Sequence, residues 1–288
     1  MSIATETMVV SLQVGMWTGH RLDKDASHDV VVAHKADEGA ARVNKHLIPK
    51  EALAPIVSAA QGMRNHLYRA TFPWKDNGDR LLPRKRFVEF IAEHDTLKTE
   101  FMSAVTKFLE EDYPAVREQA EFRMGTLFKP EDYPPVSQLQ HKFYATLDID
   151  TVTEAGDFRC KIEGEAADRL RDEVTASVER RITGVMQEAW TRLAGQLESL
   201  HERLTSEKRK VIREAFLDNL NALVAMLPDM NITGDPNLSA IVTRVQDMLK
   251  GVDIKDLRSD DHVKKAVSAE AQEIMENMKG FMTAFGEK

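Results

Sequence analysis

Cysteine is almost absent from this chain of 288 residues, which contains only Cys160. A single thiol cannot form an intramolecular disulfide or a multi-cysteine zinc or iron–sulfur site, and this usage is typical of a reducing compartment. The chain also lacks any apolar run near the roughly 18 residues of a membrane span, and Glu6 stands where a secretory leader would carry positive charge. The sequence therefore predicts a cytoplasmic protein that does not enter a membrane.

Aromatic residues, glycine and proline are also scarce. Aromatic side chains make up 7% of the chain, which is few for a protein that stacks a series of nucleic-acid bases. The 14 glycines and 10 prolines, beside 42% apolar and 30% charged residues, exclude collagen-like and disordered classes and indicate a packed globular protein. The net charge of -8 argues against a surface that binds nucleic acid over its whole extent.

Local catalytic motifs are missing as well. The sequence contains no Gly-x-x-x-x-Gly-Lys-Ser/Thr phosphate loop, no Gly-x-Gly-x-x-Gly fingerprint and no Gly-x-Ser-x-Gly nucleophile turn. Residues 201–205 begin like a His-Glu-x-x-His zinc motif, but Thr205 stands where the second histidine is needed. We therefore expect a protein without cofactor, metal or enzymatic activity, although an active site assembled from distant residues would leave no such signature.

Alternating apolar residues predict three strands. Residues 8–17, 143–150 and 158–162 each place apolar side chains at every second position, the pattern of a strand with one buried face. Turn residues 153–156 separate the last two runs, so these form a hairpin candidate that the first run can join in a small antiparallel sheet. Cys160 falls on the inward side of the last strand, where a small apolar core role is favoured over thiol chemistry.

Helical periodicity accounts for most of the remaining N-terminal residues. Short helices are predicted at residues 25–34 and 49–68, followed by a turn or exposed loop at 71–79. Apolar residues at three- and four-residue steps predict a longer helix over 84–111.

The proline-rich stretch at residues 129–135 marks the predicted domain boundary. Residues 1–135 are expected to form a mostly helical region with one strand. Residues 136–288 are expected to form a β-hairpin followed by a long helix and a C-terminal helical array. The predicted fold class is therefore α+β and predominantly α, with a small antiparallel sheet.

The strongest periodic signal is an apolar seam between residues 163 and 204, which contains no proline. One helix of this length spans about 60 Å, which is longer than a compact domain needs. Thr205 or Ser206 can cap a following helix that ends at Pro228, so a helical hairpin is predicted. The spacing typical of a coiled coil appears only after Trp190.

Apolar faces of the long helix and of the last helix are candidates for protein contacts. A seam longer than the molecule can bury predicts a helix-mediated interface and a homo-oligomer, and flexible methionines suit a surface that repacks against partners. The alternative is that the last helix closes the protein's own core. The candidate interface residues are Trp190, Leu193, Leu197, Leu200, Met278 and Phe281.

Four carboxylates surround the predicted hairpin turn: Asp148, Asp150, Glu154 and Asp157. Such a group can gather around a divalent cation, and a metal-dependent enzyme is therefore the second alternative function. The spacing does not fit an EF-hand loop. A solvated strand face with acidic turn residues is the favoured interpretation.

Two basic clusters make nucleic acid a further, less favoured partner. The second cluster lies in the predicted first turns of a helix, where positive charge opposes the helix dipole and an anionic partner can supply the balance. Pairing with acids of the protein itself is the favoured interpretation. The candidate nucleic-acid contacts are Arg84, Lys85 and Arg86 in the first cluster and Lys208, Arg209, Lys210 and Arg213 in the second.

Two parts of the sequence carry a resemblance to a known family. Residues 10–21 read Val-Ser-Leu-Gln-Val-Gly-Met-Trp-Thr-Gly-His-Arg; residues 216–220 and 227–236 form the second part, which ends in Leu-Pro-Asp-Met-Asn-Ile-Thr-Gly-Asp-Pro. Both parts resemble an uncharacterised family of phage and mobile-element proteins, a domain of unknown function. Its members are often encoded beside a MoxR-type AAA+ ATPase and a von Willebrand factor A-domain protein, and the family has no known active-site residues to carry over.

The resemblance implies an origin in a phage or bacterium and a role as client, adaptor or scaffold of an ATPase-driven system. The leading hypothesis is a non-enzymatic scaffold or adaptor that self-assembles through helix contacts in the cytoplasm of a bacterium or phage-infected host. An AAA+ ATPase is the partner that the resemblance suggests. The alternative function is that of a DNA-binding accessory factor in phage replication or recombination.

Overall fold

The computed structural model describes residues 3–152, 165–206 and 212–286. The described chain is mostly helical and carries a small antiparallel sheet, which confirms the predicted, predominantly α, α+β class. The strands are β1 (Thr7–Gly15), β2 (His20–Asp23), β3 (Val43–His46), β4 (Phe72–Pro73), β5 (Arg80–Pro83) and β6 (Tyr144–Asp150). The helices are α1 (Ile3–Glu6), α2 (Lys24–Ala33), α3 (Lys50–Ala70), α4 (Phe87–Lys107), α5 (Tyr113–Glu118), α6 (Ala120–Met124), α7 (Val136–Leu139), α8 (Glu165–Thr205), α9 (Glu214–Met230), α10 (Pro236–Leu249), α11 (Ile254–Ser259) and α12 (Asp261–Gly286).

The described strands form one four-stranded sheet, in the order β4-β5-β1-β6, and a separate β2-β3 pair. β1 and β5 run antiparallel, with Thr7 opposite Pro83. The predicted strands at residues 8–17 and 143–150 are confirmed as β1 and β6, which are neighbours in the sheet. The third predicted strand, at residues 158–162, lies outside the described residues.

A side-chain cap starts the first long helix of the N-terminal region. Asp23 accepts hydrogen bonds from the backbone N–H groups of Asp25 and Ala26, at 3.1 and 3.0 Å, where β2 passes into α2. Such a cap satisfies backbone donors that have no partner in the first turn. The predicted helices at residues 25–34 and 49–68 are confirmed as α2 and α3.

The chain separates into two compact units, each built from more than one segment. Unit 1 comprises Met1–Ser11, Tyr68–Val88 and Ile149–Lys288, and unit 2 comprises Leu12–Leu67 and Glu89–Asp148. The boundary expected at residue 135 therefore falls inside unit 2 and not between the units.

The proline-rich stretch 129–135 belongs to unit 2 because two of its side chains are buried there. The hydroxyl of Tyr133 donates to the carbonyl oxygen of Leu47 at 3.0 Å. Asp132 lies 2.5 Å from the ammonium group of Lys45. The prolines thus shape a packed turn and not a linker.

Helix α8 is the centre of unit 1, and it confirms the prediction of one long helix. It runs without a break for 41 residues. It packs along α12 and also contacts α9 and the short strand β4. Helix α10 packs against α9 and α12, and α11 packs against α12. No described helix has both the length and the apolar character that a membrane span requires.

Between Val178 and Leu204, the apolar seam of α8 forms part of the core of unit 1. Five of the six candidate interface residues are almost fully buried: Trp190, Leu193, Leu197 and Leu200 at 0% and Met278 at 1% exposure. Phe281 is partly buried against the same cluster, with its ring centroid 5.8 Å from that of Trp190. This corrects the expectation of an exposed seam, because side chains from α9 and α12 cover it.

Unit 2 has an apolar core of its own, which joins α3 and α4 to a group of aromatic rings. Its buried aromatic residues are Phe101, Phe108, Tyr113, Tyr133 and Phe143. The predicted helix at residues 84–111 is confirmed as α4, but the chain does not leave the helical path after it. It passes through a π-helical turn, Phe108–Asp112, directly into α5. Such turns are rare and often lie at functional sites.

Candidate binding cavity in unit 2

The first predicted basic cluster is partly neutralised within unit 1. Arg84, Lys85 and Arg86 form a 3-10 turn that leads into α4. Arg84 donates to the carbonyl oxygen of Thr5 at 3.3 Å, and the side chains of Lys85 and Arg86 lie 3.6 and 3.3 Å from the carboxylate of Asp229. This geometry fits charge that is paired within the protein better than a free phosphate-binding surface.

The second basic cluster lies only partly within the described residues. Lys208, Arg209 and Lys210 fall outside them, and Arg213 is exposed directly before α9. A nucleic-acid contact by both clusters therefore stays a prediction.

The acidic hairpin is likewise only partly described. Asp148 and Asp150 lie on β6 and are exposed, whereas Glu154, Asp157 and Cys160 lie outside the described residues. Within the part of the chain that the structure describes, no group of three or more His, Cys, Asp and Glu side chains is arranged to hold a metal ion.

An apolar cavity in unit 2 is the candidate site that the sequence did not reveal. It has a volume of about 230 Å³ and lies between the loop that joins β1 and β2, the end of β3 and the first turns of α3. Its apolar lining consists of Met16, Trp17, Ile48, Pro49, Leu53, Ile56 and Val57. The polar side chains that complete it include His20, His46 and Lys50.

Gly19 lets the two chain segments that enclose the cavity approach each other. Its φ of +66° lies in the left-handed region, and its carbonyl oxygen accepts a hydrogen bond from the backbone N–H of Leu47 at 2.8 Å. A Cβ atom at this position would lie 2.7 Å from the side chain of Ile48. Glycine is therefore required where this loop contacts the segment before α3.

Trp17 connects the cavity to the aromatic core of unit 2. Its ring meets that of Tyr113 edge-on at 5.6 Å and lies 6.5 Å from that of Phe108. The Tyr113 hydroxyl donates to the carbonyl oxygen of Pro134 at 2.6 Å, and burial raises the pKa of Tyr113 to about 12, so this donor keeps its proton. Because Phe108 begins the π-helical turn and Tyr113 directly follows it, that turn supports one wall of the cavity.

Two histidines face each other across the β2-β3 pair beside the cavity. His20 and His46 are register partners, and their ring centroids are 4.3 Å apart. Both are exposed, as is Lys50 at the first position of α3. The described residues that line the cavity include these three basic groups and no acidic one, in a chain whose net charge is -8. The cavity thus combines an apolar interior with a basic edge.

A buried ion cluster holds the β2-β3 pair in place. The ammonium group of Lys45 lies 3.0 Å from the carboxylate of Asp23 and 2.5 Å from that of Asp132, and it donates to the carbonyl oxygen of Leu127 at 3.1 Å. Burial alone would lower the pKa of Lys45, but the contacts with Asp132 and Asp23 outweigh burial and raise the pKa. A lysine that stays charged is not a nucleophile, so its role is to fix the strand that carries His46.

A carboxylate–histidine pair lies elsewhere in unit 2. His66 of α3 is buried, with Nδ1 3.2 Å from the carboxylate of Glu93 and Nε2 3.1 Å from the carbonyl oxygen of Phe90. Nε2 contacts a backbone carbonyl oxygen and Nδ1 is buried beside Glu93, whereas a general base needs one nitrogen within reach of a substrate. We therefore assign this pair a structural role between α3 and α4.

No protein-family model, curated protein or solved structure matches the chain. The function is therefore inferred from the geometry of the described residues. Of these candidate sites, the cavity of unit 2 best combines the features of a binding site, because it is concave, mostly apolar and edged by a few polar groups.

Proposed function

We propose that the protein is a non-enzymatic adaptor or scaffold, and that the cavity of unit 2 is where it contacts another protein. The observation that carries this proposal is an apolar cavity of about 230 Å³ whose rim includes Val57, a side chain that is 50% exposed. In many complexes, a pocket that buries one large side chain of the partner supplies much of the binding energy.

The size of the cavity favours a side chain over a cofactor. Sites for small molecules usually enclose about 300–1,000 Å³, which is more than the 230 Å³ present here. An apolar cavity of about 150 Å³ is enough to hold one benzene molecule. The cavity therefore accommodates a group the size of a leucine or phenylalanine side chain.

The walls of the cavity are already formed. Ile48 and Ile56 are 4% and 1% exposed, and Trp17 rests against the ring of Tyr113. A site that is ordered before binding loses less conformational freedom when its partner arrives. This preorganisation supports a role in recognition.

The proposed contact replaces the helix seam as the site of assembly. Loops and the first turns of α3 form the cavity, so a partner can bind without uncovering the core of unit 1. Residues 16–18 and 20, which line the cavity, belong to the stretch that resembles the phage and mobile-element family. On that resemblance, an AAA+ ATPase is the first partner to test, and a second copy of the chain is the next.

A photo-crosslinking amino acid at the rim of the cavity tests the proposal in living cells. With p-benzoylphenylalanine in place of Val57, we expect a discrete crosslinked product that mass spectrometry identifies. The same replacement at Val88 is the matched control, because Val88 is also an exposed valine, at 80%, but belongs to unit 1.

The composition of the crosslinked product decides the kind of assembly. A product that contains a second protein supports the adaptor function, and a product with twice the mass of the chain supports a homo-oligomeric scaffold. The test is made in cells that naturally produce the protein. If the crosslinking amino acid at position 57 gives no product beyond that seen at position 88, the cavity is not a contact site and the proposal fails.

A further inference from the structure

We infer that the cavity binds a partner segment in which a leucine- or phenylalanine-sized side chain is flanked by aspartate or glutamate. This inference rests on the proposed adaptor function and adds the chemistry of the partner. Its basis is the juxtaposition of an apolar interior with a basic edge formed by His20, His46 and Lys50.

The interior selects an apolar group. Its wall includes Ile48, Leu53 and Ile56, and two of these three side chains are buried. Moving an apolar side chain from water into such a site is favourable in proportion to the area that it buries. A charged group in the same space would lose its hydration without gaining a hydrogen-bond partner.

The edge selects negative charge on either side of that apolar group. Within the described part of the chain, none of His20, His46 and Lys50 forms an ion pair, so their N–H donors remain available. An imidazole donates a hydrogen bond to a carboxylate even when it is neutral, and an ammonium group adds a full positive charge. The N-terminus of α3, where Lys50 lies, also favours negative charge.

The positions of the basic groups fit more than one carboxylate. The rings of His20 and His46 are close enough, at 4.3 Å between centroids, for one carboxylate to accept from both. Lys50 belongs to a different element and offers a second position. Acids of the protein itself do not compete: Asp132 is bound by Lys45, and Glu51 does not line the cavity.

Three blocked pentapeptides test this inference on the full-length protein. The first has a leucine between two glutamates, the second has glutamines in place of the glutamates, and the third has alanine in place of the leucine. We expect the first to bind about tenfold more tightly than either of the others, because only it offers both an apolar anchor and carboxylates.

The indole N–H signal of Trp17 in ¹⁵N NMR spectra reports binding. Trp17 lines the cavity, whereas Trp74 and Trp190, the other two tryptophans, belong to the core of unit 1. The signal is assigned from the spectrum of Trp17→Phe. Titration of each peptide then gives its dissociation constant.

Two substitutions test separately how the basic edge and the rim of the cavity contribute to peptide binding. Lys50→Gln is expected to weaken binding of the glutamate peptide about fivefold to tenfold and to leave the glutamine peptide unaffected. Val57→Asp puts a negative charge on the rim of the cavity. It is expected to weaken binding of the glutamate peptide more than binding of the glutamine peptide. Val88→Asp, in unit 1, should change the binding of neither peptide.

Each failure has its own meaning. Equal binding of the glutamate and glutamine peptides would overturn the requirement for acidic residues, and equal binding of the leucine and alanine peptides would overturn the apolar anchor. If none of the three peptides binds while Val57 still gives a crosslinked product, this partner chemistry is wrong and the adaptor function stands. If Val57 gives no product, the adaptor function itself fails.

Discussion

Gly19 is the residue on which the shape of the cavity depends most directly. Its φ of +66° costs a residue such as alanine about 1–2 kcal/mol. A Cβ atom would also lie 2.7 Å from the side chain of Ile48, which forms a wall of the cavity. We therefore expect Gly19→Ala to lower the free energy of unfolding by about 2–4 kcal/mol, as measured by urea denaturation.

Gly39 provides the control for that substitution within the same unit. Its φ is +88°, and no atom lies within 4 Å of the Cβ that alanine would add. Gly39→Ala should therefore cost only the backbone contribution of about 1–2 kcal/mol. If both variants lose the same free energy of unfolding, the loop moves away from Ile48 at no cost. The close approach of Gly19 to Ile48 then does not define the cavity.

Lys45 is the residue that holds the strands beside the cavity. Its removal leaves the carboxylates of Asp23 and Asp132 buried next to each other, and loss of one partner of a buried ion pair typically costs about 3–5 kcal/mol. We expect Lys45→Met to lower the free energy of unfolding at neutral pH by that amount. Arg21→Met should cost less than about 1 kcal/mol, because Arg21 contacts Asp132 from an exposed position.

The decrease in the free energy of unfolding that Lys45→Met causes should become smaller at acidic pH. Hydrogen bonding from the backbone of Ala26, together with the contact with Lys45, lowers the pKa of Asp23 in the folded protein. This carboxylate therefore stabilises the fold above its unfolded pKa of about 3.9, and its contribution is lost as the pH falls through the lower folded pKa. The wild type then loses this contribution, whereas in the variant protonation of Asp23 removes a buried charge that has already lost its lysine partner. A difference between the two that stays constant from neutral pH down to about pH 3 would contradict this assignment.

At the scale of helices and strands, periodicity predicts the elements that bury one face. β1 and α8 were predicted from apolar residues that recur with periods of two and 3.6, because each has one face in a core. Strand β5 was missed, since its four residues are buried on both faces and are too few to show a period.

The β4-β5 hairpin shows why the composition of residues 71–79 is misleading. That stretch was predicted as a turn or exposed loop, yet Phe72 and Trp74 are buried in unit 1. Arg80 is also buried, and its guanidinium donates to the hydroxyl and carbonyl oxygens of Thr71. Burial lowers the pKa of Arg80 to about 10. A buried arginine whose donors are satisfied in this way has the same sequence signature as an exposed one.

The cavity was not predictable for a different reason. Its lining comes from separate segments around residues 16–20, 46–50 and 53–57, and none of these carries a motif. The backbone contact of Gly19 and the strand register that pairs the histidines bring the segments together. Neither depends on a local pattern, so only the folded chain shows them.

Removal of α12 tests whether the seam of α8 belongs to the core. Among the described residues, truncation after Lys264 deletes four buried apolar side chains, Val267, Ala271, Ile274 and Met278. At about 1.5–3 kcal/mol for each large apolar side chain, the loss approaches the total stability of an ordinary domain, about 5–15 kcal/mol. We expect the truncated chain to lose the near-UV circular dichroism of Trp190 and to bind a hydrophobic dye.

Point substitutions in α12 give the same test in graded form. Ile274→Ala, at a fully buried position, should lower the free energy of unfolding by about 2–5 kcal/mol. Asn277→Ala, at an exposed position of the same helix, should change it by less than about 0.5 kcal/mol. The opposite result is a truncated chain that still unfolds cooperatively and differs from the full chain only in its oligomeric state. In that case the seam of α8 is again a candidate interface.

At the scale of the whole molecule, the chain passes between the two units four times, after residues 11, 67, 88 and 148. Strand β1 begins in unit 1 and ends in unit 2. Predicting a domain boundary from composition requires that each domain is one continuous stretch of the chain. Proline-rich stretches, moreover, mark tight turns as readily as linkers. The division of this chain between its two units was therefore not predictable from composition.

Separate fragments cut at the predicted boundary should not fold, because each unit takes residues from both sides of it. Fragment 1–135 lacks three side chains of the core of unit 2, Leu139, Phe143 and Ala145. Fragment 136–288 lacks four side chains of the core of unit 1, Val9, Phe72, Trp74 and Leu81. We expect neither fragment alone to show dispersed NMR signals or cooperative thermal unfolding, whereas the two produced together should reassemble. Cooperative unfolding of fragment 1–135 by itself would contradict the assignment of residues 136–148 to unit 2.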